Sequence, residues 1–178
     1  MYSIISVKKI KCRTTKHRSE NRLFRTITIE NTQAARSNIK IYKTAKPFLK
    51  WVGGKGQLLK EIEKYYPFAN GKITKYAEPF VGGGAVLFDI LNKYKLEKVY
   101  ISDINAELIN TYCIIKDDVN ALIDILSAMQ NIFISKDTEN RKDYYLSQRE
   151  RFNELKVNNN EQENIEKAAL MIFLKDMF

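Results

Sequence analysis

Two glycine clusters and one carboxylate stand at spacings that suit a cofactor site. Six of the seven glycines fall in Val52-Gly53-Gly54-Lys55-Gly56 and Val81-Gly82-Gly83-Gly84, 28 residues apart. Glycine lets a backbone turn tightly and come close to a ligand. The second cluster follows the short run Tyr76-Ala77-Glu78-Pro79-Phe80 and opens a helical pattern over residues 85–91. Strand, glycine turn and helix in that order make a nucleotide-type cofactor site. Asp103 lies 19 residues beyond Gly84, at the end of the apolar run Lys98-Val99-Tyr100-Ile101-Ser102. At the end of a second strand a carboxylate can accept both hydroxyl hydrogens of a ribose, or it can cap the next helix.

The residues narrow the type of cofactor. The nicotinamide fingerprint G-x-G-x-x-G/A needs a small residue at position 87, where Leu87 stands. A phosphate-binding P-loop needs Ser or Thr after its lysine and a glycine five residues before the second one. Here Gly56 follows Lys55, and Leu49 takes the place of the first glycine. An adenosyl cofactor without phosphates fits better. It asks for a glycine turn, a ribose carboxylate and an acidic residue near a positive amino group, and Glu78 can supply the last.

These residues need elements to hold them. Residues 57–66 read as a helix with Leu58, Leu59, Ile62 and Tyr65 on one face, ended by Pro67 and Gly71. Residues 75–80 read as a strand, 85–93 as a helix and 98–103 as a second strand, close to the ~30 residues of a parallel crossover unit. Two such strands are too few to cover both faces of a sheet. From Ala106 the pattern turns helical, with stripes through Leu108, Ile109, Tyr112 and Ile115, then Val119, Leu122, Ile123 and Leu126. Residues 135–142 read as a polar link before a helix over 143–156 that buries Tyr145, Phe152 and Leu155. Ile165, Ala168, Ala169, Ile172 and Phe173 follow the i, i+3, i+4, i+7, i+8 rule of an amphipathic helix. Upstream, only residues 24–29 alternate like a strand, as half of a hairpin.

Bulk properties exclude other classes. No apolar run approaches the ~18 residues that a membrane helix needs, and no signal-peptide core is present. Cys12 and Cys113 have no partner motif and read as free thiols in a reducing cytoplasm. With His17 as the single histidine, a histidine zinc site or a Ser-His-Asp triad is not credible. The net charge of +9 is uneven: residues 1–50 carry +11 and residues 51–178 carry −2. The basicity therefore belongs to an N-terminal arm, which is either solvated or attracts phosphates.

Three motifs in series resemble a family. Residues 46–59, Lys-Pro-Phe-Leu-Lys-Trp-Val-Gly-Gly-Lys-Gly-Gln-Leu-Leu, look like the N-terminal motif of the Dam-like DNA adenine-N6 methyltransferases. Residues 78–88, Glu-Pro-Phe-Val-Gly-Gly-Gly-Ala-Val-Leu-Phe, look like their S-adenosylmethionine motif. Tyr100-Ile-Ser-Asp-Ile-Asn105 is similar to the next strand and turn. Tyr144-Tyr145, Arg151-Phe152-Asn153 and residues 168–174 resemble the family's first target-recognition helices. The resemblance implies an incomplete Rossmann-like methyltransferase sheet of α/β class with the beginning of a helical target-recognition domain. It implies a basic extension over 1–45, the first part of the cofactor domain over 46–115 and recognition helices over 116–178. S-adenosylmethionine would be held by Trp51, Lys55, Phe80, Gly82 and Asp103, with Ile104 along the adenine and double-stranded DNA as the substrate.

The family flips an adenine out of the duplex and methylates its exocyclic amine at an Asp-Pro-Pro-Tyr-type motif. This chain has only Pro47, Pro67 and Pro79, so that motif is absent and no catalytic residue is assigned. The pattern breaks after Leu174, which is the expectation for a truncated, split or frameshifted product, inactive alone or completed by a second polypeptide carrying the C-terminal half. The alternative is a non-catalytic DNA-binding or regulatory remnant that works through the basic arm.

Overall fold

The computed structural model describes residues 17–19, 22–30, 44–51, 53–158 and 160–176. They belong to two compact units, Met1–Ile109 and Asn110–Phe178. The chain is mixed α/β and mostly helical. Helix α3 (Ala106–Asp117) runs through both the division between the units and residue 115, where the sequence places the end of the cofactor domain. Cys12 and most of the basic arm lie outside the described residues.

The first unit is built on a parallel pair, β3 (Lys75–Glu78) and β4 (Lys98–Asp103), with Tyr76 opposite Val99 and Glu78 opposite Ile101. Parallel neighbours need a long crossover, and helix α2 (Ala85–Lys93) supplies it, burying Val86, Leu87 and Ile90. Along β4 the alternation of a strand buries Val99, Ile101 and Asp103. The last of these brings a carboxylate to the C-terminal end of the strand.

The sheet is larger than the sequence suggests. Strands β1 (His17–Ser19) and β2 (Arg22–Glu30) form the hairpin hinted at by residues 24–29. Strand β2 also pairs antiparallel with β4, from Arg25 opposite Asp103 to Glu30 opposite Lys98, giving the order β1-β2-β4-β3. A run of β-branched residues, Thr26 to Ile29, and an open strand edge account for the pairing. Neither property shows as a long-range signal in the sequence.

Residues 55–65 are not the regular amphipathic helix that their pattern suggests. A 3-10 turn over Lys55–Leu58 leads into one α-helical turn, α1 (Leu59–Ile62), and a second 3-10 turn over Glu63–Tyr65. With three residues per turn the 3.6-residue stripe cannot hold, and Leu58 and Tyr65 are 57% and 83% exposed. Beyond Pro67, the rings of Tyr66, Phe68, Tyr76 and Tyr94 meet at centroid distances of 5.3–6.3 Å and tie this segment to β3.

The second unit is helical: α4 (Val119–Ile134), α5 (Thr138–Asn158) and α6 (Asn164–Asp176). Asp118 caps α4 by accepting the Ala121 N–H. Helix α5 begins five residues earlier than its apolar pattern indicates, because Asp137 Oδ1 accepts the Asn140 N–H at 2.9 Å. That bond holds the Asp137 carboxyl below the usual carboxylate range. In α5, Leu155 is fully buried while Tyr145 and Phe152 are half-buried. Helix α6 packs on both α4 and α5 and is buried all round from Lys167 to Phe173. A single amphipathic stripe describes a helix with one wet face, and α6 packs against two neighbouring helices. Arg151 links α5 to α6 through a fork of 2.8 and 2.9 Å hydrogen bonds to the two Glu166 oxygens.

Leu122, fully buried, and Leu58, exposed, test these assignments. Leu122→Ala is expected to lower stability by about 2–5 kcal/mol, and Leu58→Ala by no more than about 0.5 kcal/mol, as read by denaturant unfolding. Equal losses contradict the non-helical-stripe reading of residues 55–65.

Candidate functional site

The turn between β3 and α2 is held from below by main-chain bonds: Val81 N–H donates to Ser102 O at 3.1 Å and Gly84 N–H to Val81 O at 2.9 Å. Gly82 and Gly84 lie in the left-handed region, with φ of +51° and +80°. The turn is then joined to the end of β4 by Asp103. Its Oδ2 accepts the Gly82 N–H at 3.0 Å, and its Oδ1 accepts the Asn105 N–H at 3.0 Å. Asn105 caps α3 by accepting the Leu108 N–H at 2.9 Å. Asp103 thus braces the capping residue without being the cap. Each of its oxygens keeps acceptor capacity for a further partner.

A strap over residues 44–51 crosses the turn. A Cβ built on Gly82 stands 3.1 Å from Trp51 Cδ1, and one built on Gly83 stands 3.1 Å from both Leu49 O and Trp51 Cβ. A Cβ at either position would press on the strap, and Gly82 and Gly84 need a positive φ besides, which accounts for glycine in this cluster. In the first cluster, Gly53 adopts φ +74°, and Gly54 donates its N–H to Trp51 O at 3.1 Å. Gly56 has open space around it and is not in the left-handed region, so packing does not explain it.

Lys55 reaches back to the end of β3. Its Nζ donates to Glu78 Oε1 at 3.1 Å and to Phe80 O at 3.0 Å. The other Glu78 oxygen accepts the Tyr76 hydroxyl at 2.9 Å. Burial, reinforced by the neighbouring Glu78 charge, pushes the Tyr76 hydroxyl far above its ordinary value and keeps it a donor. Glu78 is therefore engaged on both oxygens by the protein itself, whereas the sequence offered it to a ligand amino group. It does not line the cleft, and neither does Ile104, which is 56% exposed.

Strap, glycine loop, glycine turn and strand end enclose a cleft of about 760 Å³. Trp51, Lys55, Phe80, Gly82 and Asp103 all line it. The Phe80 ring is 64% exposed. Leu49 and Gln57 line it too, and sequence reasoning gave neither of them a role. Leu49 carries a signal only as an apolar residue beside Trp51, whereas the contact of its carbonyl oxygen with Gly83 has none. Lys55 is the one basic side chain among the lining residues, and it is already paired. The cleft offers a carboxylate acceptor and an open aromatic ring, with no surplus positive charge for a polyphosphate. Among the described residues no cluster of His, Cys, Asp and Glu suits a metal ion. No helix among them is long and apolar enough to cross a membrane.

The family model for D12 class N6 adenine-specific DNA methyltransferases matches residues 51–178. A type II methyltransferase of Methanocaldococcus jannaschii is 49% identical over 131 residues, covering 72% of this chain and 44% of the relative. A DNA adenine methylase of Haemophilus influenzae is 42% identical over 108 residues, 61% of this chain and 34% of the relative. The DNA adenine methylase of Escherichia coli (strain K12) is 30% identical over 132 residues, 74% of this chain and 41% of the relative. The chain thus spans 34% to 44% of the length of these relatives.

Two measurements check the geometry. Gly83→Ala forces its methyl against a backbone oxygen, so it is expected to cost about 1–3 kcal/mol and to shift the emission of Trp51, the sole tryptophan. The raised Tyr76 hydroxyl contributes stability that is complete below the ordinary tyrosine value of 10.0 and is lost as pH rises beyond it. Tyr76→Phe is expected to flatten the decline in unfolding free energy above that pH. An identical decline in both proteins counts against the Tyr76–Glu78 bond.

Proposed function

Because the chain belongs to the D12 class of N6 adenine-specific DNA methyltransferases, we propose that its glycine-lined cleft is the S-adenosylmethionine half of a site-specific DNA adenine methyltransferase. The observation that carries this reading is the Asp103 carboxylate, set at the strand end against the Gly82 amide, in a cleft whose basic side chain is already neutralised. A ribose presents two hydroxyl donors to such an acceptor, and a cofactor without phosphates asks for no further cation. In this reading the methionine portion lies along the cleft face of the turn at Gly82, beside Phe80. Trp51 and Lys55 form the facing wall, with Lys55 held in place by Glu78 and Phe80 O. Ile104, the proposed neighbour of the adenine ring, follows Asp103 directly but does not itself line the cleft. When bound, S-adenosylmethionine supplies an activated methyl group. What the chain's own residues do is bind and orient.

In this reading β3, α2 and β4 are the opening unit of a Rossmann-like methyltransferase sheet, and α4, α5 and α6 begin the helical domain that meets double-stranded DNA. Residues 1–178 hold no Asp-Pro-Pro-Tyr segment to accept hydrogen bonds from a flipped adenine and stack on it. They are expected to bind the cofactor without transferring its methyl group. The base-binding half belongs to a further segment or to a second polypeptide.

Calorimetric titration of the 178-residue chain with S-adenosylmethionine tests the site. Asp103→Asn, which keeps one carbonyl acceptor but loses the charge, is expected to weaken binding about tenfold. Undiminished binding in that variant counts against the ribose role. With tritiated cofactor and an adenine-containing duplex, incorporation is expected to stay at blank level, and sustained turnover by the pure chain refutes the division of labour.

A further inference from the structure

We infer that Asn92, at the end of α2 remote from the cleft, is a positioning residue for the cleft wall, because its side-chain amide clips the strap that carries Leu49 and Trp51. The inference rests on the cofactor reading above for its functional consequence, though not for its geometry.

Asn92 is exposed in the last turn of α2. Its Oδ1 accepts the Ala45 N–H at 2.9 Å and its Nδ2 donates to Ala45 O at 2.8 Å. One amide side chain thus satisfies both main-chain groups of a residue 47 positions away, in the manner of a β-ladder pair. The strap needs such a fixture, since residues 44–51 form no helix or strand of their own. One helical turn before Asn92, Phe88 meets the ring of Phe48 edge-on at 6.3 Å, so the same face of α2 grips the strap at two points. Between those points Pro47 restricts the backbone, and the direction set at Ala45 carries through to Leu49. Beneath the strap lies a hollow of about 410 Å³ bordered by Thr44, Pro47, Leu59 and Phe88. Close packing therefore does not hold this stretch down along its whole length, and the clip spans the gap. At the far end, Leu49 O and Trp51 lie on Gly82 and Gly83 with no slack. A strap released at Ala45 loosens the seat of Trp51 on the turn and with it the cleft wall that Trp51 forms.

Only an amide fits this role. Leucine has a similar shape and a better helix propensity, but neither polar group. Aspartate keeps the acceptor and puts a second acceptor against Ala45 O. The test uses Asn92→Leu and Asn92→Asp in the full 178-residue chain, with Trp51 fluorescence as the signature. Without ligand, both variants are expected to red-shift Trp51 emission and raise its quenching by acrylamide, while circular dichroism and the unfolding midpoint stay close to the unmodified chain. The dissociation constant for S-adenosylmethionine is expected to rise about three- to tenfold. Unchanged Trp51 emission overturns the inference. So does a shifted emission with unchanged affinity, provided Asp103→Asn does weaken binding. A signal that merely follows a loss of folded protein overturns it as well. If the unmodified chain binds no S-adenosylmethionine, the cofactor reading fails instead, and the Trp51 signal alone decides whether Asn92 holds the strap.

Discussion

Trp51 and the Leu49 carbonyl oxygen come within 3.1 Å of where a Cβ on Gly82 or Gly83 would stand, and the cleft depends on that close approach. The turn between β3 and α2 has two tasks. It must reverse the chain into a helix, which the left-handed φ of Gly82 and Gly84 achieves. It must also leave its outer surface bare, so that a strap from 30 or so residues earlier in the chain can form the opposite wall. Glycine meets both demands at once, which explains why the second cluster holds three in succession. A methyl group at position 83 would move backbone rather than a flexible side-chain end, so the wall and the turn cannot change independently.

The two buried carboxylates divide the remaining work. Glu78 is tied by side chains: Lys55 donates to one oxygen and Tyr76 to the other, and the Lys55 ammonium reaches on to Phe80 O. This set fixes the end of β3 and neutralises the cleft's one basic side chain. Asp103 is tied by the main chain. Its two oxygens each accept one backbone N–H, from Gly82 and from Asn105, and each retains a lone pair. Burial of a charge is tolerated when hydrogen bonds compensate it, and the structure compensates Asp103 enough to hold it in place without saturating it. What separates the two is position: Asp103 lines the cleft, and Glu78 does not.

The glycine clusters and Asp103 were legible in the sequence because each is a local event: a turn needs glycine where it stands, and a strand end is a fixed number of residues after the turn. The same locality limited the rest. Nothing in the spacing of Lys55 and Glu78 shows that they pair, and Glu78 was accordingly offered to a ligand. The Asn92–Ala45 clip joins residues 47 apart, with no periodicity to betray it. Leu58 and Tyr65 were misplaced because the 3.6-residue rule was applied to 3-10 turns, and α6 was given a wet face because periodicity does not count a helix's neighbours. Strand β2 had a visible β-branched run, but its pairing with β4 depends on a vacant edge, which is a property of the folded sheet.

The cleft lies wholly within the first unit, and its ionisable lining groups are the Lys55 amine and the Asp103 carboxylate. Every residue that lines it belongs to Met1–Ile109, and none is a histidine, cysteine or serine. Methyl transfer to an exocyclic amine needs no nucleophile from the protein. It needs acceptors that orient the amine and a surface that holds the extruded base. In the proposed reading those requirements fall on residues other than the cleft lining, and the exposed Phe80 and Ile104 stand just past the C-terminal ends of β3 and β4. In a fold built this way, cofactor affinity and catalytic competence are separable properties, because the atoms that fix the one do not include the atoms that perform the other.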